Sequence, residues 1–206
     1  MNDARNEFVA PIGSATTGRL RFVRGAYNAT IHVDDLATDL CRARFEGTAP
    51  DIRAEDGVVR IEYPRTWNPL DWRRHSADVA LNAAIPWGVE VRGGASEIKV
   101  DLSGLRLESF EIDGGVHNVE LTLPEASGTV PIRVEGGANS VWISRPRGVA
   151  ASLHVGGGAS KLAFDDERLG AVGGETTLES RSYAGATERY EITVTGGANN
   201  VSVLTT

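Results

Sequence analysis

A pair of adjacent glycines returns at an almost constant interval, and this recurrence limits the fold of the 206-residue chain more than any other feature. The segment VEVRGGASEIKVDL, from Val89, comes back as FEIDGGVHNVELTL from Phe110, IRVEGGANSVWIS from Ile132, LHVGGGASKLAF from Leu153 and ITVTGGANNVSVL from Ile192. The shared pattern is apolar-x-apolar-x-Gly-Gly-small-polar-polar-apolar-x-apolar. The pairs begin at Gly93, Gly114, Gly136, Gly157 and Gly196, in steps of 21, 22, 21 and 39 residues. The last step is close to two units, which predicts a degenerate copy between them.

Each copy holds two short runs with period-two alternation, the mark of half-buried strands. In the first, Val89, Val91, Ile98, Val100 and Leu102 are expected to face a core, and Glu90, Arg92, Glu97, Lys99 and Asp101 the solvent. A glycine pair accepts positive φ without a Cβ clash, so Gly93-Gly94, Gly114-Gly115, Gly136-Gly137, Gly157-Gly158 and Gly196-Gly197 read as structural corner turns. A local Gly-Gly hairpin is the competing reading. The regular period favours stacked coils, each placing its corner on the last. The expected fold is all-β: a single-stranded, right-handed parallel β-helix, or β-solenoid, with coils of about 21 residues. Eight to ten coils stacked at about 4.8 Å would extend about 40–45 Å.

Turn chemistry follows the second strand of each copy, at Ser103-Gly104, Pro124 to Gly128, Ser144 to Gly148 and Asp165 to Gly170. A third short strand should then lead onward through Leu105-Leu107, Val130-Ile132 or Val149-Leu153. No run has the spacing of an amphipathic helix. Worn copies occupy Leu20–Val33, Pro50–Pro64 with Asp56-Gly57 at the bend, and Ala77–Trp87. Residues 1–19 read as a poorly ordered or capping segment. Residues 20–206 form one solenoid domain with an excursion at 65–76 that carries Trp67 and Trp72. No capping helix shows at either end, so open strand edges are expected to promote self-association, most simply a dimer.

GGASEIKVDL, GGANSVWIS and GGASKLAF resemble the repeats of the bacterial "putative adhesin" or toast-rack domain of unknown function. This domain also forms the carboxy-terminal part of proteins in cell-wall-antibiotic and envelope-stress responses. The resemblance spans roughly residues 20–204. It implies a β-solenoid fold and offers no catalytic residues. Many members of the family carry a signal sequence or membrane segment. Here the first residues hold Asp3, Arg5 and Glu7 and no apolar run, and no stretch has the length of a membrane span. The sequence therefore reads as cytoplasmic without membrane insertion, leaving peripheral association open.

Chemistry is sparse. A net charge of −7 disfavours nucleic acid, whose phosphates need a basic surface. The lone Cys41 forms no internal disulfide and reads as a core residue in preference to a nucleophile. The histidines His32, His75, His117 and His154 lack ligand spacing, and Asp34-Asp35 and Asp165-Asp166-Glu167 lack a calcium-loop pattern, so no metal or other cofactor is expected. Glu90, Glu111, Arg133 and His154 occupy aligned outward positions of alternating character and read as no acid pair for glycan cleavage. Trp142 is formally outward and joins Trp67 and Trp72 as a candidate contact surface.

The polar pairs Tyr27-Asn28, Ser96-Glu97, His117-Asn118, Asn139-Ser140, Ser160-Lys161 and Asn199-Asn200 should align as a column that bonds the backbone of neighbouring corners. The function these features favour is a non-catalytic scaffold or interaction module, linked through the resemblance to envelope stress or adhesion. Its partner would be another copy, a protein or a glycan. A carbohydrate-binding or polysaccharide-cleaving β-helix is the alternative.

Overall fold

A computed structural model describes residues 6–36, 38–47, 49–64 and 76–206. Nineteen strands are present among them. The first half holds β1 (Glu7–Pro11), β2 (Gly18–Val23), β3 (Ala26–Asp34), β4 (Asp39–Glu46), β5 (Asp51–Glu55), β6 (Val58–Glu62), β7 (Ser76–Asn82), β8 (Trp87–Arg92) and β9 (Ala95–Asp101). The second holds β10 (Leu107–Asp113), β11 (Val116–Thr122), β12 (Thr129–Val134), β13 (Ala138–Arg145), β14 (Ala150–Val155), β15 (Ala159–Phe164), β16 (Glu167–Val172), β17 (Thr176–Glu179), β18 (Arg189–Val194) and β19 (Ala198–Thr205). One 3₁₀ turn, Tyr183–Gly185, is the helical element among the described residues. No helix there is long and apolar enough to cross a membrane.

The strands form two sheets. One has ten, in the order β1-β4-β7-β3-β9-β11-β13-β19-β15-β16, and the other nine, in the order β17-β14-β18-β12-β10-β8-β2-β6-β5. Each glycine corner carries the chain from the nine-stranded to the ten-stranded sheet, as from β8 to β9 or β10 to β11. The alternation decides which side chains lie between the sheets. Val91, Ile98, Val100, Ile112, Val119, Leu121, Val134, Val141, Ile143, Val155, Leu162, Val194 and Val201 are all buried there. Large side chains complete the core and find polar partners: Trp87 Nε1 donates to Asn82 O at 2.9 Å, and Tyr190 Oη to Pro124 O at 2.7 Å.

The middle of the stack is parallel and keeps the repeat period. Phe110 stands beside Val89 and Ile132, and Val116 beside Ala95 and Ala138, at separations of 21 and 22 residues. Toward the ends the expected uninterrupted parallel helix gives way. The last coil, β18–β19, slots between β12–β13 and β14–β15, and the coil β2–β3 slots between β6 and β7 on one side and β8 and β9 on the other. Both coils near the chain ends are therefore interior to the stack. The register reflects this, with Leu20 beside Val59 and Ala159 beside Ala198, each 39 residues apart.

The 39-residue step hides no further parallel coil. Its strands β16 and β17 run antiparallel to β15 and β14 and close that end. At the other end, β4 and β5 run antiparallel to β7 and β6, and β1 runs antiparallel to β4. Antiparallel strands, not helices, thus close both ends, and the outermost strands keep one open edge each. These edges are short and mostly polar, as in the four-residue β17 and the charged β5, which limits uncontrolled pairing.

Asp56-Gly57 makes the β5–β6 hairpin and is not a solenoid corner. The expected third strand per coil is also absent: Leu107, Val130, Ile132 and Leu153 belong to the first strand of the next coil. The coil is therefore flattened, with two faces. The segment 65–75, with Trp67 and Trp72, lies outside the described residues.

Candidate functional site

The glycine corners stack directly. A Cβ on Gly114 would lie 2.7 Å from Gly93 O, one on Gly136 2.7 Å from Gly114 O, and one on Gly196 2.7 Å from Gly136 O. The first glycine of each pair is thus required by the approach of two backbones. Positive φ, the reason the sequence suggested, applies at Gly93 (+102°) and Gly114 (+149°) but not at Gly136, Gly157 or Gly196. The second glycines have more room, with 3.5 Å from a Cβ on Gly137 to Gly197 O. Backbone bonds such as Val116 N to Gly137 O and Ala138 N to Gly197 O, both 2.9 Å, tie the corners together.

Left-handed backbone appears three residues after each corner pair. Asn28, Glu97, Asn118, Ser140, Lys161 and Asn200 have φ between +48° and +56°, in a column down the ten-stranded sheet. Asn favours this region, whereas Glu, Ser and Lys bear a steric cost there. From His117 through Asn139 and Asn199 to Ser160 the polar column bonds side chain to side chain, where the sequence suggested bonds to the corner backbone. Asn199 Nδ2 donates to Asn139 Oδ1 at 2.6 Å, Ser160 Oγ to Asn199 Oδ1 at 2.7 Å, and Asn139 Nδ2 meets His117 Nδ1 at 2.8 Å. Beside it, Asn118 Nδ2 donates to Glu97 Oε2 and Asn200 Nδ2 to Ser140 Oγ.

On the outer face of the nine-stranded sheet, Arg21, Glu90, Glu111, Arg133, Thr193 and His154 form one row. Glu90 and Glu111 are neighbours in register, as the repeat aligned them. Each is tied to arginine: Glu111 Oε1 accepts from Arg133 at 2.9 Å, and Glu90 accepts from Arg21 at 2.7 Å and Arg92 at 2.5 Å. Partial burial acts to raise the Glu90 carboxyl, but the bonds from Arg92 and Arg21 outweigh it and hold the group below its ordinary range. A general acid for glycoside cleavage needs the opposite shift.

His154 lies 3.2 Å from Glu175 and 3.0 Å from Thr177 Oγ1. Cys41 is fully buried, and desolvation pushes its thiol up to about 12, suiting a core position and not a nucleophile. Among the described residues, no three His, Cys, Asp or Glu groups gather as metal ligands.

Sequence reasoning missed Arg145. It looked like turn chemistry before Pro146, yet its side chain is only 2% exposed. The guanidinium donates to Val149 O and to both oxygens of Asp165, at 2.6 and 2.5 Å, and lies 5.9 Å from the Phe164 ring centre. Thr206 N donates to Arg145 O at 3.0 Å. The residue pins three segments together at the β16–β17 end. Asp165, at the start of what the sequence reads as turn chemistry, is the other half of the pin.

Trp142 is outward as expected and 37% exposed, one of two large hydrophobic side chains so exposed among the described residues. It stands in register with Glu120 on β11 and Ser202 on β19. A shallow groove beside it is lined by Asn118, Glu120, Leu121, Thr122, Trp142 and Ser144. A second groove, lined by residues from Asn28 to Glu120, shares Asn118 and Glu120 with the first. A continuous polar track therefore crosses β3, β9, β11 and β13, ending at the indole.

These features define an all-β, solenoid-like stack whose outward groups are tied into ladders. A family model described as the N-terminal domain of toast_rack, DUF2154, matches residues 18–144, more than half of the sequence, and the chain belongs to that family. No curated protein matches it. The crystal structure of a "putative cell adhesion protein" from Clostridium sporogenes is 18% identical, covers 97% of this chain and 98% of its own, and superimposes with a TM-score of 0.69. A "putative adhesin" from Bacteroides fragilis, 8% identical over 98% of this chain and 99% of that one, gives a TM-score of 0.34.

Proposed function

We propose that this protein is a non-catalytic β-solenoid module that presents a long, ladder-reinforced β surface for adhesion or for contacts linked to envelope stress. In this reading the central coils of about 21 residues wind in the right-handed sense usual for parallel crossovers. The observation that carries it is the outward row on the nine-stranded sheet, where Glu90 and Glu111 stand side by side yet each is held by arginine. Groups so committed stiffen a surface, and Glu90, held below its ordinary range, is a poor proton donor. Membership in the toast_rack family and likeness in fold to the "putative cell adhesion protein" support the same reading.

Self-association belongs to the proposal, since each sheet still ends in a strand with backbone groups on its outer side. It would operate on the cytoplasmic side or peripherally at a membrane. Two measurements test this. Incubation with a panel of polysaccharides and small ester substrates should release no product. Turnover abolished by Glu90→Gln or Glu111→Gln would overturn the non-catalytic reading. Light scattering at rising concentration should show mass growth toward a dimer, and a strict monomer at high concentration would remove self-association from the proposal.

A further inference from the structure

We propose that the track on the outer face of the ten-stranded sheet is a binding site for a linear, neutral glycan, one sugar ring of which stacks on Trp142. The inference rests on the interaction-module reading and names the chemistry of its ligand. The register puts Glu120 beside Trp142 and Thr122 beside Ser144, so one aromatic face, one carboxylate and two hydroxyls project from adjacent strands. The groove they line holds about 380 Å³, and the adjoining groove about 280 Å³. The track crosses four strands, three spacings of about 4.8 Å, and so offers about 14 Å for a short run of rings.

The available groups match a polyhydroxylated ring. Glu120 has one ion-pair partner among the described residues, Lys99 at a loose 3.9 Å, so its carboxylate can accept from sugar hydroxyls. Thr122 and Ser144 supply groups that both donate and accept. The indole provides a flat apolar face with a polar N–H at its edge.

Other occupants fit less well. These strands are interior to the sheet, so their backbone groups are already paired and an extended peptide cannot add as a strand. One exposed aromatic among polar neighbours is a small anchor for a protein interface, which draws its energy from a desolvated cluster. Glu97 and Glu120 outnumber Lys99 along the track, which disfavours uronic or sulfated sugars.

The test is titration of the full chain, by calorimetry, with a soluble β-glucan, a mannan and a xylan, and with polygalacturonate as the acidic comparator. At least one neutral polymer should bind, more tightly than polygalacturonate. Trp142→Ala should weaken it by about tenfold or more, the loss of one hot-spot aromatic. Glu120→Gln should weaken it by a smaller factor. Thr122→Arg, which fills the groove and leaves the indole in place, should also block binding, and matched melting curves establish that each variant is folded.

Failure of every neutral polymer to bind at millimolar concentration would overturn the glycan site, as would tighter binding of polygalacturonate or unchanged affinity in folded Trp142→Ala. None of these results bears on the absence of catalysis, which product release would overturn by itself.

Discussion

Replacing Gly136 with alanine is expected to destabilise the protein, whereas the same change one residue later is expected to be tolerated. A Cβ on Gly136 would sit 2.7 Å from the carbonyl carbon and oxygen of Gly114 and 2.8 Å from Gly115 N. Ordinary contact begins near 3.4 Å, so the two corners must separate by 3.4 − 2.7, about 0.7 Å. The bonds that join these two corners, Val116 N to Gly137 O and Glu135 N to Ile112 O, are 2.9 and 2.8 Å long. Stretched by that amount they leave hydrogen-bonding range.

Two such bonds at about 1 kcal/mol each, added to about 1–3 kcal/mol of overpacking, give a loss of about 3–5 kcal/mol. A Cβ on Gly137 meets Gly197 O at 3.5 Å and strains nothing. The lower entropy of the unfolded chain should make Gly137→Ala neutral or stabilising by up to about 1 kcal/mol. Urea denaturation followed by circular dichroism measures both. Gly136→Ala within about 0.5 kcal/mol of the parent, or Gly137→Ala as damaging as Gly136→Ala, would refute close backbone stacking as the reason for the glycine pairs.

Arg145→Ala should cost about 3–5 kcal/mol by leaving Asp165 without its buried partner, and Arg145→Met combined with Asp165→Asn should recover a large part of this in the same urea titration. Lys161→Asn should stabilise by up to about 1 kcal/mol, since Lys161 holds a φ of +52° that asparagine adopts more readily; an unchanged or lower denaturation midpoint would contradict it. Stability should fall as the pH drops below the ordinary glutamate range near about 4.3, because Glu90 has a lowered folded-state pKa and its contribution, present above that range, is lost as protons displace the arginines. Urea midpoints between pH 3 and 6 should show a shallower slope in Glu90→Gln, and an identical slope would exclude Glu90 as a contributor.

Local physics made the class of fold legible in the sequence. The alternation of Val89, Val91, Ile98 and Val100 with charged residues specified strands with one buried face, and every core position inferred from it is buried. The recurrence of Gly-Gly every 21 or 22 residues marked where the chain turns and implied stacked turns. It also marked the polar column, and asparagine at 28, 118 and 200 was a usable sign of left-handed backbone, although Glu97 and Lys161 hid the rule at their own positions.

The stacking order was not legible. All coils share one alternation and one corner, so any coil could lie on any other without changing the local pattern. Nothing around Gly196 states that its neighbours are Gly136 and Gly157. Closure of the ends settles that order, because antiparallel β16 and β17 occupy the outer edges and the last coil must enter one place further in. Arg145 and Asp165 lie 20 residues apart on either side of a coil, and Arg21 and Glu90 lie 69 apart. Such meetings depend on register between strands, which arises only when the sheets assemble and the whole core fixes which backbones touch.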